Sequence, residues 1–294
     1  MPKFPAAFEL DRRTVKAHFE RAAGTYDAAA VLQAEVARRL LERLDLIKLS
    51  PKTVLDLGAG TGLATADLLG RYPKSSVVAL DLAINMLRQV IHRGSWRRRA
   101  SLVGADAAVM PFAGDTFDLV YSSLMLQWCQ PPDAVLREIS RVLVPEGVIM
   151  FATLGPDTLH ELRESWSTID KAQHVSVFMD MHDVGDAMVR AGFRDPVVDM
   201  ETITLTYKGV PDLLRDLKAL GATNAATGRT PGLGGRGLLA AMMRAYEKYK
   251  RDDGLFPATY EVIYGHAWGK KTFKAANAPS GEVRIPVDQL FSQG

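Results

Sequence analysis

Val54-Leu55-Asp56-Leu57-Gly58-Ala59-Gly60-Thr61-Gly62 is a short apolar run, with one acid inside it, that breaks into a turn carrying glycine at every second position. A run of this length, preceded by Ser50-Pro51 and ended by glycine, reads as a buried parallel strand. Leu63-Ala64-Thr65-Ala66-Asp67-Leu68-Leu69 reads as the helix that follows. Together they form the first strand-turn-helix unit of a doubly wound sheet. Glycine lets the backbone turn sharply and come close to a ligand, and a ligand at the carboxyl edge of such a sheet lies against the helix N-terminus.

Outward from this unit, strand and helix patterns alternate. Residues 76–80 form a second strand closed by Asp81, 101–106 a third, 117–122 a fourth and 148–153 a fifth, with helices over 84–92 and 132–143. Short helical crossovers between strands predict a mostly parallel sheet covered on both faces. Upstream, residues 11–46 carry apolar side chains at three- and four-residue spacing, interrupted at Gly24-Thr25, so two helices are expected with Tyr26 at their joint. Downstream, helices are expected over 156–169, 183–191 with Gly192 as its cap, 211–220 and 238–250, and strands over 197–207 and 259–268. The expected fold class is α/β. Its parts are an N-terminal helical region (1–52), a core (53–154), a completion of the sheet (155–268) with inserted segments near 155–181 and 208–257, and a flexible tail (269–294); the resemblances given below imply that the first is a lid and the insertions a substrate cap.

Composition narrows the function classes. The chain has 294 residues, 47% hydrophobic and 24% charged, enough for one large core, and a net charge of only +2. That balance lacks the basic excess of a nucleic-acid partner. One cysteine, Cys129, excludes an internal disulfide, and nothing spaces cysteines and histidines for zinc, so no metal is expected and a reducing cytoplasm is the default. No segment approaches the roughly twenty apolar residues of a membrane span.

Two ligands compete for the glycine turn. A dinucleotide fingerprint has the spacing G-x-G-x-x-G. Here it is Gly58-x-Gly60-x-Gly62, with Asp56 two residues ahead. This resembles motif I of class I S-adenosylmethionine (SAM) methyltransferases, which implies a Rossmann-like seven-stranded sheet with helices on both faces. The resemblance implies that Asp56, Gly58, Ala59, Gly60 and Gly62 shape the cofactor turn. It implies that Asp81, followed by Leu82, accepts both ribose hydroxyls. Asp106-Ala107 resembles the family's adenine-contacting pair, with Met86 and Met110 as apolar walls, and Ser122-Ser123-Leu124 falls where that family lines the methionyl part. Taken singly, Asp81 is also a helix cap and either methionine plain core.

A closer resemblance spans residues 11–268. Phe19-Glu20-Arg21-Ala22-Ala23-Gly24-Thr25-Tyr26-Asp27, Leu126-Gln127-Trp128-Cys129, the stretch from Leu217 to Asn224 with Gly228-Arg229, and Pro257-Ala258-Thr259-Tyr260 resemble the malonyl-acyl carrier protein O-methyltransferases of biotin synthesis, the BioC type. The runner-up is a related branch of methyltransferase-like assembly proteins of respiratory complex I, linked to arginine hydroxylation. It shares Gly155-Pro156-Asp157-Thr158-Leu159 and Pro257-Ala258-Thr259-Tyr260 in similar form. A SAM methyltransferase acting on another small molecule or a protein is a further alternative.

The favoured resemblance implies a malonyl thioester, on acyl carrier protein or coenzyme A, whose free carboxylate is the nucleophile. A carboxyl group titrates near 4 and needs no general base at neutral pH, so what the enzyme supplies is alignment and a cation that selects malonyl. Candidates are Arg229, Lys218 and Asn224 in the segment between the last two strands, with Arg163 and His174 in the first insertion. Lys218 and Arg163 can equally belong to solvated helix faces, and His174 to a hydrogen-bonded structural pair. Tyr26 is expected on the lid over the cofactor, or as an anchor of the helix on the sheet. Arg97-Arg98-Arg99 with Arg93, Arg12-Arg13-Lys16 and Arg38-Arg39 are the basic clusters available to an acidic carrier.

Overall fold

The computed structural model describes residues 10–93, 98–129, 132–222 and 236–270. Seven strands form one sheet: β1 (Thr53–Leu57), β2 (Ser76–Asp81), β3 (Ser101–Gly104), β4 (Phe117–Ser123), β5 (Leu143–Leu154), β6 (Arg194–Tyr207) and β7 (Phe256–Trp268). Their order is β3-β2-β1-β4-β5-β7-β6, with β7 antiparallel to both neighbours. The order reverses between β1 and β4, which pair in parallel with Val54 opposite Leu119. In a doubly wound sheet that reversal opens a crevice at the carboxyl ends of the strands.

The apolar run that marked β1 is buried because both faces of the sheet are covered. Val54, Leu55 and Leu57 are fully shielded, with Val54 in the core cluster on one face and Leu55 and Leu57 in that on the other. Asp118 fastens the strand's beginning, accepting the amides of Lys52 and Thr53 at 2.8 Å each.

The helices expected from the sequence are present. They are α1 (Arg12–Ala22), α2 (Tyr26–Ala29), α3 (Val31–Arg43), α4 (Leu63–Arg71), α5 (Ile84–Val90), α6 (Asp133–Val142), α7 (His160–Ser167), α8 (Met181–Arg190), α9 (Val210–Ala219) and α10 (Arg236–Tyr246). Asp11 caps α1, accepting Arg13 N at 3.0 Å. Gly192, at φ 85°, ends α8: its amide reaches Val189 O and that of Phe193 reaches Met188 O, the paired bonds of a Schellman motif.

One expectation changes. The N-terminal region divides at Ala30, and only its first part lies over the strand ends. α3 is a core helix, burying Leu32, Val36, Ala37, Leu40 and Leu41 against the sheet, and Ala37 O accepts the Tyr121 hydroxyl at 3.0 Å. Its apolar stripe spans several turns and needs the sheet to cover it. Among the described residues, no helix is long and apolar enough to cross a membrane.

Candidate functional site

The glycine turn brings strand ends together. Gly58, Gly60 and Gly62 all have positive φ, which explains their spacing at alternate positions. The amides of Gly58 and Ala59 donate to Leu80 O at 2.8 and 3.0 Å, stitching the turn to β2. Gly60 N donates to Asp81 Oδ2 at 2.9 Å, and Ala83 N to Asp81 Oδ1 at 2.8 Å. Burial is the main cause that raises the Asp81 carboxyl above its ordinary value.

One cleft opens beside this turn and a second adjoins it. The first is lined by Gly58, Gly60, Asp81, Leu82, Met86, Asp106, Ala107, Ser123 and Leu124 among others, under Val15, Lys16, Phe19 and Tyr26 of the N-terminal segment. The second runs under β5, β7 and α9 and is mostly apolar and aromatic, with Leu154, Leu159, Phe178, Leu217, Tyr207 and Tyr260 in its walls. Phe19, Tyr26, Leu124 and Trp128 line both. Leu124 and Leu159 are non-glycine residues held at φ 52° and 54°, and both face the second cleft. Backbone strain of this kind persists where the surroundings fix it, as they do here: Leu124 N is held by Ala152 O and Leu159 N by Thr259 O.

Not every residue picked from the sequence reaches a cleft. Asp56 is buried below the turn, accepting Thr65 Oγ1 at 2.5 Å, and burial pushes its carboxyl up to about 7. Ser122 is fully buried and donates to Leu57 O at 2.8 Å, tying β4 to β1. Met110 packs in the core beside Ala107, and Ala59 and Gly62 shape the turn without lining either cleft. Cys129 lines the first cleft, and burial raises its thiol to about 12, so it stays protonated.

Tyr26 sits on the shared wall, and burial, with Asp81 and Asp27 nearby, holds its phenol well above the usual value. His174 lines the second cleft, stacked on Trp166 with centroids 3.7 Å apart and bonded through Nε2 to Asp170 Oδ1 at 2.8 Å. It is the one side chain among the described residues lining that cleft that can carry a positive charge. Arg163 lies behind the wall, donating Nη2 to Thr158 O at 2.7 Å; its Nε is buried without a partner, and burial lowers its pKa. Lys218 is exposed and outside both clefts, whereas Leu217 and Leu220 of the same helix line the second. Asn224, Arg229 and Arg97 fall outside the described residues. The chain leading to Arg229 starts at the rim: Ala222 lines the second cleft, and Gly221 packs so tightly on α1 that a Cβ there would lie 3.1 Å from His18 O.

Phe19, Trp128, Tyr207 and Tyr260 were not singled out by sequence reasoning as site residues. Three of them stand inside the segments that carried the family resemblance, which was the available signal. The basic clusters are less open than their sequence suggests: Arg38 and Arg39 pair with Glu35, Glu42 and Glu201, and Arg12 with Asp106.

Residues 55–151 match the model of a methyltransferase domain. Distant solved structures share the fold. The YcgJ protein from Bacillus subtilis superposes with a TM-score of 0.53 at 13% identity, covering 79% of this chain and 98% of that one. Haemonchus contortus phosphoethanolamine N-methyltransferase 2, solved in complex with S-adenosyl-L-methionine, gives 0.52 at 16% identity, covering 86% of this chain and 57% of that one. Closer in sequence, the malonyl-[acyl-carrier protein] O-methyltransferase of Halorhodospira halophila is 51% identical over 96% of each chain. Its namesake from a Methylovorus strain is 53% identical over 89% of this chain and 90% of that one. With half the residues identical over almost the whole length, the chain belongs to the family of malonyl-[acyl-carrier protein] O-methyltransferases.

Proposed function

We propose that the first cleft holds SAM, the second admits the malonyl group of an acyl carrier protein, and the methyl passes between them to the free malonyl carboxylate. The observation that carries this reading is the shared wall of Phe19, Tyr26, Leu124 and Trp128, because it makes the two clefts neighbours at one point. Transfer needs the reacting atoms about 3–3.5 Å apart and in line, in a place closed to water.

The residues of the first cleft fit an adenosyl group with a methionyl tail. A Cβ at Gly60 would meet nothing within 4 Å, so the turn leaves room for a ligand against its backbone. Asp81 would take the ribose hydroxyls and Asp106-Ala107 the adenine edge, between Leu82 and Met86. Ser123 and Leu124 would lie along the methionyl part. Gly58 would line the cleft beside Gly60, while Asp56, Ala59, Gly62, Met110 and Ser122 would act from behind, by fixing the turn and the strand ends.

When bound, the cofactor supplies a methyl group on a positively charged sulfur. The chain's own work is to orient, shield and select. The nucleophile is ionised near neutrality, so Tyr26 need not take a proton; its raised phenol would stay neutral and serve as wall and hydrogen-bond donor. His174, ordered by Asp170 and Trp166, is the described group placed to favour a carboxylate in the second cleft. Arg229 and Asn224, which follow Ala222 in the sequence, remain proposed partners, Arg163 would stiffen the wall, and Lys218 would face the carrier. The apolar remainder suits the thioester arm of the carrier or of coenzyme A. In this reading the product is the malonyl methyl ester, the enzyme works in the cytoplasm, and the step belongs early in biotin synthesis.

Intact-protein mass spectrometry tests the proposal. Purified enzyme with SAM is expected to add one methyl to malonyl-acyl carrier protein and none to acetyl-acyl carrier protein. An unmethylated malonyl carrier would overturn the reading.

A further inference from the structure

The N-terminal segment sends one charged side chain to the end of each of the first three strands. Arg12 Nη1, on α1, donates to Asp106 Oδ2 at 2.7 Å, beyond β3. Glu20 accepts the first amides of α5, beyond β2: Ile84 N at 2.8 Å on Oε1 and Asn85 N at 2.9 Å on Oε2. Asn85 Nδ2 returns a bond to Glu20 O at 3.3 Å. Asp27, on α2, accepts Thr61 Oγ1 at 2.6 Å in the glycine turn beyond β1, and pairs with Arg93.

The order of these three along the chain runs opposite to the order of the strands they reach. The segment therefore crosses the carboxyl edge as a strap, fastened once at each strand end. Between the fastenings, Val15, Lys16, Phe19 and Tyr26 roof the first cleft.

We propose that Arg12, Glu20 and Asp27 are positioning residues for the methyl donor: they hold the strap closed over it and set how fast the spent cofactor leaves. The inference rests on the first cleft being the SAM site. Arg12 acts through Asp106, whose other oxygen, Oδ1, accepts Ala108 N at 2.8 Å; the acid is thereby fixed at the adenine-like end of the cleft. Glu20 acts through the start of α5, where a carboxylate both satisfies unpaired amides and complements the helix dipole. Its backbone bond from Asn85 sets α1 at a fixed height over Met86.

The fastenings suit a strap that opens in every catalytic cycle. The Arg12–Asp106 pair is half exposed, with side-chain exposures of 49% and 35%, and exposed pairs of this kind contribute little individually and weaken with salt. A deeply buried pair would hold the strap shut. Three shallow ones, each tied beyond a different strand, hold it closed together while none is costly to break.

The test is stopped-flow release of S-adenosylhomocysteine from the full chain, comparing wild type, Arg12→Ala, Glu20→Ala and the double variant at several salt concentrations. Each single substitution is expected to speed release about two- to fivefold, with the double variant faster than either. Wild-type release should quicken with added salt, and the double variant should respond less. Glu20→Gln, which keeps one acceptor oxygen, should restore part of the lost retention, and the KM for malonyl-acyl carrier protein, whose cleft Phe19 and Tyr26 of the strap also line, should rise by less than release quickens. Thermal melts of the unliganded variants separate a lost fastening from a lost fold, and the single variants carry the test if the double fails to fold. Unchanged release in folded variants of a wild type that binds the product would overturn the strap alone. An equal rise in the acceptor KM would also overturn it, while a wild type that does not bind S-adenosylhomocysteine would overturn the SAM reading with it.

Discussion

Phe19 of α1 and Trp128 beyond β4 meet edge to face, ring centroids 5.2 Å apart and planes at 87°, on the wall that both clefts share. An aromatic pair in this geometry contributes about 0.5–1.5 kcal/mol beyond the surface it buries. Because the pair serves two clefts, Phe19→Ala is expected to weaken S-adenosylhomocysteine binding and raise the acceptor KM together, each by roughly tenfold. Calorimetry with the product and steady-state kinetics with the malonyl carrier measure the two sides. An effect confined to one ligand would show that the wall is not shared in solution.

Asp81→Ala should behave in the opposite, one-sided way. The variant loses the carboxylate that fixes Gly60 and faces the first cleft, and hydrogen bonds to a charged group are worth about 1.5–3 kcal/mol. Product affinity is expected to fall about ten- to a hundredfold with the acceptor KM nearly unchanged. Equal losses by calorimetry and kinetics would contradict the division into donor and acceptor clefts.

Gly58 and Gly60 share a left-handed backbone but differ in what surrounds them. A Cβ at Gly58 would lie 2.3 Å from Met125 Cγ, whereas one at Gly60 would meet nothing within 4 Å. Gly58→Ala is therefore expected to lower stability by several kcal/mol, strain and overpacking combined. Gly60→Ala should cost about 1–2 kcal/mol of stability yet remove most cofactor affinity, because the new methyl group enters the cleft. Urea melts and product titrations on both variants separate the two outcomes; similar stability losses would argue against the Met125 contact.

Asp56 gives the fold a pH dependence with a defined sign. Burial raises its carboxyl from 3.8 to about 7, so the folded chain prefers the neutral acid. Below about pH 4 both states are protonated and the preference costs nothing. As pH climbs from about 4 to 7 the unfolded chain ionises first and stability falls, and above 7 the loss is complete. Asp56→Asn removes this titration, so the variant should gain on the wild type by on the order of 2–4 kcal/mol between pH 5 and pH 8. Urea melts without cofactor measure the gap. A gap that does not change with pH would place the charge of Asp56 elsewhere.

Tyr26→Phe tests whether the phenol is a base. It is held well above its ordinary pKa, and the malonyl carboxylate needs no deprotonation near neutrality. The Phe variant should keep kcat within about an order of magnitude, while Tyr26→Ala, which opens the shared wall, should lose far more. A Phe variant as inactive as the Ala variant would assign the hydroxyl a direct role.

The sheet was legible because its local signals agree. Short apolar runs ended by glycine or acid mark β1 to β3, a run ended by two serines marks β4, and alternation over residues 201–207 marks β6, half exposed at the sheet edge. Gly58, Gly60, Asp81, Leu82, Asp106, Ala107, Ser123 and Leu124 at strand ends, and Met86 on α5, were picked out by resemblance to methyltransferase motifs, and the structure gathers them round one cleft. What the sequence hid was depth. Asp56, Ser122 and Met110 carry the right chemistry one layer too low, and nothing in a strand pattern separates a residue at the edge from one beneath it. The aromatic wall was hidden for another reason: Phe19, Trp128, Tyr207 and Tyr260 come from four distant segments, and only tertiary packing brings them to one place. The same holds for the strap, whose partners lie 94 residues apart for Arg12 and Asp106.

The meeting of the two clefts is tested most directly by a crystal structure of the enzyme with S-adenosylhomocysteine and a non-hydrolysable malonyl-pantetheine analogue. The expected result has the ribose on Asp81 and the adenine beside Asp106. The cofactor sulfur should face the malonyl carboxylate across the gap bounded by Tyr26 and Leu124, with no protein atom between them. A cofactor bound in the second cleft, or a malonyl carboxylate separated from the sulfur by the Phe19–Trp128 wall, would contradict the account.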